Sequence, residues 1–281
     1  MGNAQGGTIR VGIGGWTYAP WRSTFYPEGH PHKRELEYAS RRLTSIEING
    51  TYYRTQTADT FAKWYEETPD DFVFAVKAPR FATNRKVLAD AGESIARFVA
   101  SGLLELKHKL GPINWQFMPT KKLDPVDFEA FLSLLPGTAG GLALRHAVEV
   151  RHESFRTSDF VAMATRRGVA VVIAADSGHP LLADVTAPFV YVRLMGTREG
   201  EALGYPAADL KLWAKRARVW AAGGRPEGLL PVSRSPAAAD KRDVYLYVIS
   251  GSKVSNPDAA ISLQQRVNAR RQRERPTQPR E

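Results

Sequence analysis

The sequence predicts a single-domain α/β fold, a TIM-like (β/α)8 barrel in which parallel strands alternate with helices. Three observations support this prediction. The chain has 281 residues, close to the roughly 250 residues of a typical barrel of this kind. Eight strand-like runs are each followed by a helix-like stretch or a long loop, as in a parallel sheet covered by helices. No change in composition along the chain marks a second domain.

The predicted elements follow one another in a regular order. Strands are predicted at residues 9–16, 45–52, 72–78, 111–117, 147–152, 169–176, 189–195 and 244–250. Helices are predicted at 33–43, 58–68, 93–110, 125–135, 158–167, 207–222 and 257–268, with a loop at 177–187. Asp124 and Asn256 each precede a proline, which is typical of a capped helix start, and Gly168 is placed as a helix stop.

The boundaries of the barrel are predicted from composition. The barrel domain spans residues 9–268, and the Gly-, Pro- and Ala-rich stretch 223–242 is a loop insertion. Residues 1–8 and 269–281 are predicted to be disordered. The latter form a flexible basic C-terminal tail, because residues 264–281 carry six arginines and two glutamates. Such a tail either binds nucleic acid through its phosphates or acts as a solubilising end.

Composition also excludes some classes of protein. The chain has no cysteine, which rules out disulfides, thiolate metal ligands and thiol nucleophiles. No apolar run approaches the roughly 20 residues of a membrane helix, and the start of the chain has no apolar signal region. We therefore expect no membrane partner and a cytoplasmic location, and the oligomeric state is left open.

Five strands carry charges on the face that does not pack on helices. Because side chains alternate along a strand, these charges point into a closed barrel and converge near one end of its interior. Unpaired ions are costly there, so the cluster is either a functional site or a fully paired salt-bridge network. The charged residues are Glu47, Lys77, Glu149, Arg151, Asp176 and Arg193.

These residue types suggest distinct roles at the carboxyl ends of the strands, where barrel active sites lie. The predicted catalytic acids and bases are the carboxylates Glu47, Glu149 and Asp176. Basic side chains hold anions or developing negative charge, and aromatic side chains either stack on a sugar or base or belong to the ordinary core. The predicted substrate-binding residues are Trp16, Tyr18, Asn49, Tyr52, Lys77, Arg80, Gln116, Arg151, His152 and Arg193.

Two weaker patterns lie in the loops that follow the strands. Gly251, Ser252 and Lys253 precede the last predicted helix and are either a phosphate-binding loop or a plain helix start. His152 and His179 could join carboxylates around a divalent metal, although His152 equally suits a structural hydrogen-bonding role. No metal or other cofactor is predicted, and the chain lacks the glycine fingerprint of a dinucleotide site.

Five ordered stretches of the chain are distinctive in sequence. They are Gly-Gly-Trp-Thr-Tyr at 14–18 with Trp21 and residues 25–27, Glu-Ile-Asn-Gly-Thr-Tyr-Tyr-Arg at 47–54, residues 70–80, Glu-Val-Arg-His-Glu-Ser-Phe at 149–155 and Phe-Val-Tyr-Val-Arg-Leu-Met-Gly at 189–196. These stretches resemble the signatures of the domain-of-unknown-function family 72, also called YecE-like. The resemblance runs from about residue 10 to 263, and it implies a TIM-barrel-like fold without implying a reaction.

Three functions remain open from the sequence. The leading hypothesis is an enzyme of the hydrolase or lyase type that acts on an anionic, phosphate-bearing substrate such as a nucleic acid or a sugar phosphate. The second is a nucleic-acid-binding module without catalysis, and the third is a ligand-sensing or scaffold barrel. A basic strip across the barrel mouth would favour nucleic acid, whereas a closed pocket would favour a small anionic molecule.

Overall fold

A computed structural model describes residues 7–233 and 240–273 of the chain. Its strands are β1 (Ile9–Gly14), β2 (Ser45–Ile48), β3 (Val73–Lys77), β4 (Leu110–Gln116), β5 (Thr138–Ala139), β6 (Leu142–Ala143), β7 (His146–Glu149), β8 (Ala170–Val171), β9 (Ile173–Ala175), β10 (Phe189–Leu194) and β11 (Asp243–Val248). Nine of them form a central parallel sheet in the order β8-β7-β4-β3-β2-β1-β11-β10-β9. The other two, β5 and β6, form a small antiparallel hairpin outside this sheet.

The sheet closes into a barrel through one segment, residues 170–175. Its first half, β8, pairs with β7, with Val148 opposite Val171. Its second half, β9, pairs with β10, with Val192 opposite Ile173. Val172 joins the halves and donates its backbone N–H to the Val148 carbonyl. Counted as one strand, this segment gives eight positions around the barrel, which confirms the predicted fold class.

Helices cover the outside of the barrel. Within the described residues they are α1 (Glu35–Ser40), α2 (Gly50–Tyr53), α3 (Ala58–Glu66), α4 (Arg80–Thr83), α5 (Gly92–Val99), α6 (Pro125–Ser133), α7 (Ser158–Arg166), α8 (Ala207–Ala221) and α9 (Asn256–Arg273). Short 3-10 helices occur at Ala19–Ser23, His32–Arg34, Leu88–Ala91, Leu103–Lys109, Glu153–Phe155 and Lys253–Ser255. None of the helices in this part of the chain is long and apolar enough to cross a membrane.

Local signals in the sequence account for several helix ends. The Asp124 carboxylate accepts hydrogen bonds from the backbone N–H groups of Val126 and Asp127 and caps α6, as predicted. Gly168 has a φ of 61° directly after α7, a conformation that glycine adopts without steric cost, and it acts as the predicted stop.

Other boundaries differ from the sequence prediction. The helix expected at 93–110 is interrupted at Gly102, whose φ is 104° and whose position leaves no room for a side chain beside the Ala58 backbone. Helix α9 continues to Arg273, beyond the predicted boundary at 268. At the other end of the chain, Gly7 and Thr8 donate backbone hydrogen bonds to Ala221 and Asp243. The hairpin of β5 and β6 was not predicted.

Three predicted segments fall wholly or partly outside the described residues. They are the start of the chain at 1–6, part of the loop insertion at 234–239, and the basic tail from residue 274 onwards. Within the insertion, residues 223–233 and 240–242 contain no helix or strand. The predicted loop at 177–187 likewise contains neither.

The barrel interior is filled at its centre by aromatic and small apolar side chains. Tyr191 and Tyr247 stand on adjacent strands with their ring centroids 5.1 Å apart, and neither is exposed. The Tyr247 hydroxyl also lies 2.7 Å from Ser45 Oγ on β2. These side chains separate the carboxyl ends of the strands from the amino ends, so they form the floor of whatever site lies at the mouth.

Candidate active site at the barrel mouth

Strand register brings polar residues together at the carboxyl ends of five strands. Lys77 on β3 lies opposite Asn114 on β4, and Gln116 on β4 lies opposite Glu149 on β7. Polar and charged side chains thus replace the apolar interior one layer above the tyrosine floor. We call this group the mouth cluster; its members are Glu47, Lys77, Asn114, Gln116, Glu149, Arg151, Tyr191 and Arg193.

Arg193 on β10 is the centre of the mouth cluster. Its Nη1 donates to Glu149 Oε2 at 2.7 Å and to Gln116 Oε1 at 3.3 Å, and its Nη2 donates to Glu47 Oε1 at 3.1 Å. Arg193 is 3% exposed and both carboxylates are fully buried. Glu149 and Glu47 raise the pKa of the guanidinium despite its burial, so it stays charged. One buried cation therefore holds two carboxylates from opposite sides of the barrel.

Glu149 is shared between two arginines. Its Oε1 accepts two hydrogen bonds from Arg151, at 2.8 Å from Nε and 2.6 Å from Nη2. Burial acts to raise the pKa of the Glu149 carboxyl, but the positive charges of Arg193 and Arg151 outweigh burial and lower the pKa to about 2. Glu149 is therefore ionised throughout the neutral range, which suits holding the arginines in place better than transferring protons.

Glu47 is bound from below by the floor of the barrel. The Tyr191 hydroxyl donates to Glu47 Oε2 at 2.5 Å. Burial and the charge of Glu47 raise the pKa of Tyr191 well above its ordinary value of 10, so the phenol keeps its proton. Asn114 Nδ2 lies 3.5 Å from the same Glu47 oxygen and 3.3 Å from Glu149 Oε2.

Lys77 differs from the other charged members of the mouth cluster. It is 7% exposed, yet within the described residues its ammonium makes no hydrogen bond or salt bridge. Its Nζ lies 4.1 Å from the centroid of the Tyr52 ring, in cation–π contact. Burial lowers the pKa of Lys77 from its ordinary value of 10.5 to about 8, and the charge of Arg193 acts in the same direction. Its amine is thus available near neutral pH.

Two further polar atoms of the mouth cluster are buried without a partner in the described part of the chain. They are Arg193 Nε, a donor, and Asn114 Oδ1, an acceptor. The orientation of the Asn114 amide follows from its neighbours, because two carboxylate oxygens require its NH2 group to face them. Buried polar atoms without a protein partner are rare in folded proteins, and a water, an ion or a substrate group can serve as the partner.

Asp176 does not join the mouth cluster, although it was predicted among the catalytic carboxylates. Strand β9 ends at Ala175, and Asp176 has a φ of 54°, which turns the chain away from the strand direction. Its side chain is exposed and accepts a hydrogen bond from the Tyr205 hydroxyl at 3.1 Å. The alternation rule places a side chain inside only while the strand continues.

The predicted aromatic residues divide between the core and the mouth. Trp16 packs edge-to-face on Trp64 at 5.1 Å, in the layer between barrel and helices. Tyr18 packs on the buried Trp21, and Lys253 lies over its ring at 5.1 Å. Tyr52 contacts Lys77 in the mouth cluster, as described above. Of the three aromatic residues predicted to bind substrate, Tyr52 alone contacts the mouth cluster, beside its exposed neighbour Tyr53.

The remaining predicted ligands lie around the mouth. Arg80 is exposed, with its guanidinium 5.8 Å from the Tyr53 ring. Asn49 is half-buried beside Gly14, where its Nδ2 leaves no room for a side chain. His152 Nδ1 accepts the backbone N–H of Ser154 at 3.1 Å and caps the turn at Glu153–Phe155, in line with a structural role.

His179 lies close enough to Arg151 for that charge to affect its titration. Burial lowers the pKa of His179, and the positive charge of Arg151 acts in the same direction, which favours the neutral imidazole. Within the described residues, no group of three or more His, Asp or Glu side chains is placed to hold a metal ion. The carboxylates of the mouth cluster are bound to arginines instead.

Backbone groups of the loop after β11 form hydrogen bonds with other parts of the protein. Ser252 N–H donates to the Thr197 carbonyl at 2.9 Å, and the Lys253 carbonyl accepts from the Trp21 indole at 2.8 Å. Gly251 has a φ of 59°, and a side chain there would meet Thr197. These contacts support the interpretation of 251–253 as a tight turn into α9 more than as a phosphate-binding loop.

A cavity of about 510 Å³ lies elsewhere, near the amino ends of β8, β10 and β11. It is lined by residues such as Val161, Gly168, Thr186, Pro188 and Arg242, and by no member of the mouth cluster. The buried charges therefore locate the candidate site better than this cavity does.

Sequence reasoning missed two members of the mouth cluster, Tyr191 and Asn114. The signal was present, because Tyr191 precedes Arg193 by two residues on one strand and Asn114 precedes Gln116 in the same way. Residues two apart share a face of a strand. The predicted residues Glu47, Lys77, Gln116, Glu149, Arg151 and Arg193 do meet at the mouth, with Tyr52 beside them.

Comparison with known proteins identifies relatives. A bacterial relative, the UPF0759 protein YecE of Escherichia coli K12, is 25% identical over 164 residues, which are 57% of this chain and 55% of YecE. The UPF0759 protein YunF of Bacillus subtilis 168 is 28% identical over 116 residues, 40% of each chain. The chain thus matches about half the length of these relatives or less.

Solved structures share the fold along almost the whole chain. A DUF72 family protein of Thermotoga maritima MSB8, TM1631, superposes with a TM-score of 0.68 at 19% identity, over 94% of this chain and 99% of that one. The DUF72 family protein EF0366 of Enterococcus faecalis V583 gives 0.67 at 17% identity, over 93% and 98%. The sequence model described as protein of unknown function DUF72 matches residues 10–281. This match over most of the sequence shows that the chain belongs to the DUF72 family.

Proposed function

We propose that this protein is an enzyme that binds a small anionic substrate, bearing a phosphate or carboxylate group, at the barrel mouth. The observation that carries the proposal is Lys77, a lysine only 7% exposed whose ammonium has no acceptor in the described residues. A buried cation left unpaired costs several kcal/mol. An anionic substrate would supply the missing partner. The free energy recovered when Lys77 becomes paired would then favour substrate binding.

The charge balance of the mouth cluster supports an anion. With Lys77 protonated, three cations face two carboxylates, which leaves an excess of one positive charge. Arg193 Nε, inside the site, and Arg151, whose side chain is 18% exposed, are further donors. Water is largely excluded around these groups, so each contact with an anion is stronger there than at the surface.

The placement of the cations favours a small substrate over a nucleic acid. Lys77 and Arg193 are recessed below the rim, whereas a nucleic-acid interface presents exposed lysines and arginines along a strip. Nucleic-acid binding stays a prediction tied to the basic tail. Truncation after Ala269 removes five arginines and, if the tail contacts phosphates, lowers the log–log salt slope of DNA affinity by up to about four to five.

Anion titrations test the proposal. Inorganic phosphate and pyrophosphate should raise the melting temperature of the wild-type protein, and calorimetry should give one site per chain. Lys77→Met should weaken binding about tenfold or more, since a charge-assisted hydrogen bond is removed. The control Lys63→Met removes an exposed lysine of α3, 64% exposed, and should bind as the wild type does. Equal affinity in Lys77→Met, or no binding by the wild type, would refute the proposal.

A further inference from the structure

Lys77 has the surroundings of an amine that reacts with a carbonyl carbon. We propose that Lys77 forms an iminium, or Schiff base, with an aldehyde or ketone substrate that also carries a phosphate or carboxylate group. This inference rests on the proposed function, since it names the substrate class of the same site. It extends that function from holding an anion to covalent catalysis.

The first argument is the absence of acceptors around the amine. A structural lysine inside a protein has its N–H groups bonded to carbonyl or carboxylate oxygens. Lys77 has an aromatic ring at 4.1 Å instead and, in the described residues, no such oxygen as a partner. No hydrogen bond therefore has to break when the amine loses its proton and turns its lone pair towards a substrate.

The second argument is electrostatic. Burial is the largest factor that favours the neutral amine, and the positive charge of Arg193 adds to it. The pKa of about 8 leaves a useful fraction of Lys77 unprotonated at neutral pH, whereas exposed lysines in general titrate near 10.4. The charged and titratable groups that face Lys77 are Glu47 on β2, Tyr52 on α2, Glu149 and Arg151 on and after β7, and Arg193 on β10.

The reaction needs nothing beyond the amine and the carbonyl compound. The neutral Nζ attacks the carbonyl carbon, a C–N bond forms, and the carbonyl oxygen takes up a proton to give a carbinolamine. The C–O bond then breaks and the oxygen leaves as water. Counted from the ammonium, R–NH3+ and a carbonyl give R–NH+=C and one water, so atoms and charge balance. The site keeps the same net charge, so the paired arginines and carboxylates need not rearrange.

Neighbouring groups suit the other parts of this chemistry. Asn114 lies opposite Lys77 on the adjacent strand, and its unpartnered Oδ1 is an acceptor for the carbinolamine hydroxyl. Arg151 and Arg193 Nε are donors for the anionic group of the substrate. Glu47, held by the Tyr191 hydroxyl, is the carboxylate with a single arginine contact and is the candidate proton acceptor beside the iminium. An iminium next to such a base activates the adjacent C–H or C–C bond, as in lyase chemistry.

Reductive trapping tests the inference on the full-length protein. The probe is glycolaldehyde phosphate, with glycolaldehyde as the matched compound lacking the anion. Samples are reduced with sodium borohydride at timed intervals, and the modified lysines are identified by peptide mass mapping. We expect Lys77 to be labelled about tenfold faster or more than the exposed Lys63 and Lys215. The phosphate compound should label Lys77 faster than glycolaldehyde does, and inorganic phosphate should compete.

The outcomes separate this inference from the proposed function. Lys77→Arg should keep phosphate binding, since the cation remains, and should abolish the fast labelling. Phosphate binding by the wild type together with labelling of exposed lysines only would refute the Schiff base and leave the anion site intact. If the wild type neither binds phosphate nor shows fast labelling at Lys77, both proposals fail. The labelling rate should rise as the pH passes through about 8, where the amine loses its proton.

Discussion

Lys77 and Lys109 are both buried, and their surroundings differ in one respect. Each ammonium lies against a tyrosine ring, Lys77 at 4.1 Å from Tyr52 and Lys109 at 4.3 Å from Tyr65. Lys109 donates to the Tyr65 and Thr68 carbonyls at 2.7 Å each and approaches Thr68 Oγ1 at 3.4 Å. Lys77 has no such acceptor in the described residues.

The difference separates a structural cation from a functional one. Lys109 donates to the Tyr65 carbonyl in the last turn of α3 and to the Thr68 carbonyl just beyond it, so its burial is compensated. Lys77 is buried at a cost that the protein alone does not recover. A buried charged side chain therefore indicates a functional site only when its hydrogen-bond partners are also known to be missing.

The largest effect should come from removing the best-paired cation of the mouth cluster. Arg193→Met leaves Glu47 and Glu149 buried without their shared partner, and we expect a loss of about 3–5 kcal/mol in the free energy of unfolding. Urea denaturation measures it. A loss below about 1 kcal/mol would show that the cluster is not a tightly paired network. Arg193 and Lys77 would then not differ in how strongly their charges are compensated.

Lys109→Met should cost about 2 kcal/mol, because the buried Thr68 carbonyl loses its donor and the Tyr65 carbonyl keeps only the Thr68 hydroxyl. The matched control is Lys63→Met, which removes an exposed lysine of α3, the helix that Lys109 contacts, and should change stability by no more than about 0.5 kcal/mol. Equal denaturation midpoints for the two variants would contradict a structural role for Lys109.

Lys77→Met should behave in the opposite way to Lys109→Met at pH 7. Removing an uncompensated buried charge should cause no loss of stability, and a gain of at most about 3 kcal/mol follows from the difference between the ordinary pKa of 10.5 and the value of about 8. Thermal unfolding beside the anion titration checks both properties. If Lys77→Met lost as much stability as Lys109→Met, Lys77 would have a structural role like that of Lys109.

The pH dependence of the same variant gives the smallest and most specific signal. The folded-state pKa of Lys77 is lowered, so the unfolded chain binds more protons between about pH 8 and 10.5. The stability of the wild type relative to Lys77→Met should therefore be constant below pH 8 and rise across that window. Titrations of other groups cancel in the difference. If the difference in stability between the wild type and Lys77→Met did not change with pH, the pKa of Lys77 would not be lowered in the folded protein.

The sequence allowed the fold and the inward face of most strands to be predicted, because alternation along a strand is a local property. Glu47, Lys77 and Arg193 were placed correctly for this reason. Asp176 was not, since the end of β9 and a positive φ depend on how the following loop is held. That Lys77 has no hydrogen-bond acceptor among the described residues could not be foreseen, because it depends on distances between side chains of different strands.

Tyr191 belongs both to the apolar interior and to the mouth cluster, because its ring packs on Tyr247 while its hydroxyl binds Glu47. A substitution at position 191 therefore affects the packing of the barrel interior and the hydrogen bonding of Glu47 at the same time. A substitution that refills the interior at this position also alters the carboxylate above it. Among divergent relatives, positions 47, 191 and 247 should change together, and an alignment in which they vary independently would show that the interior and the mouth evolve separately.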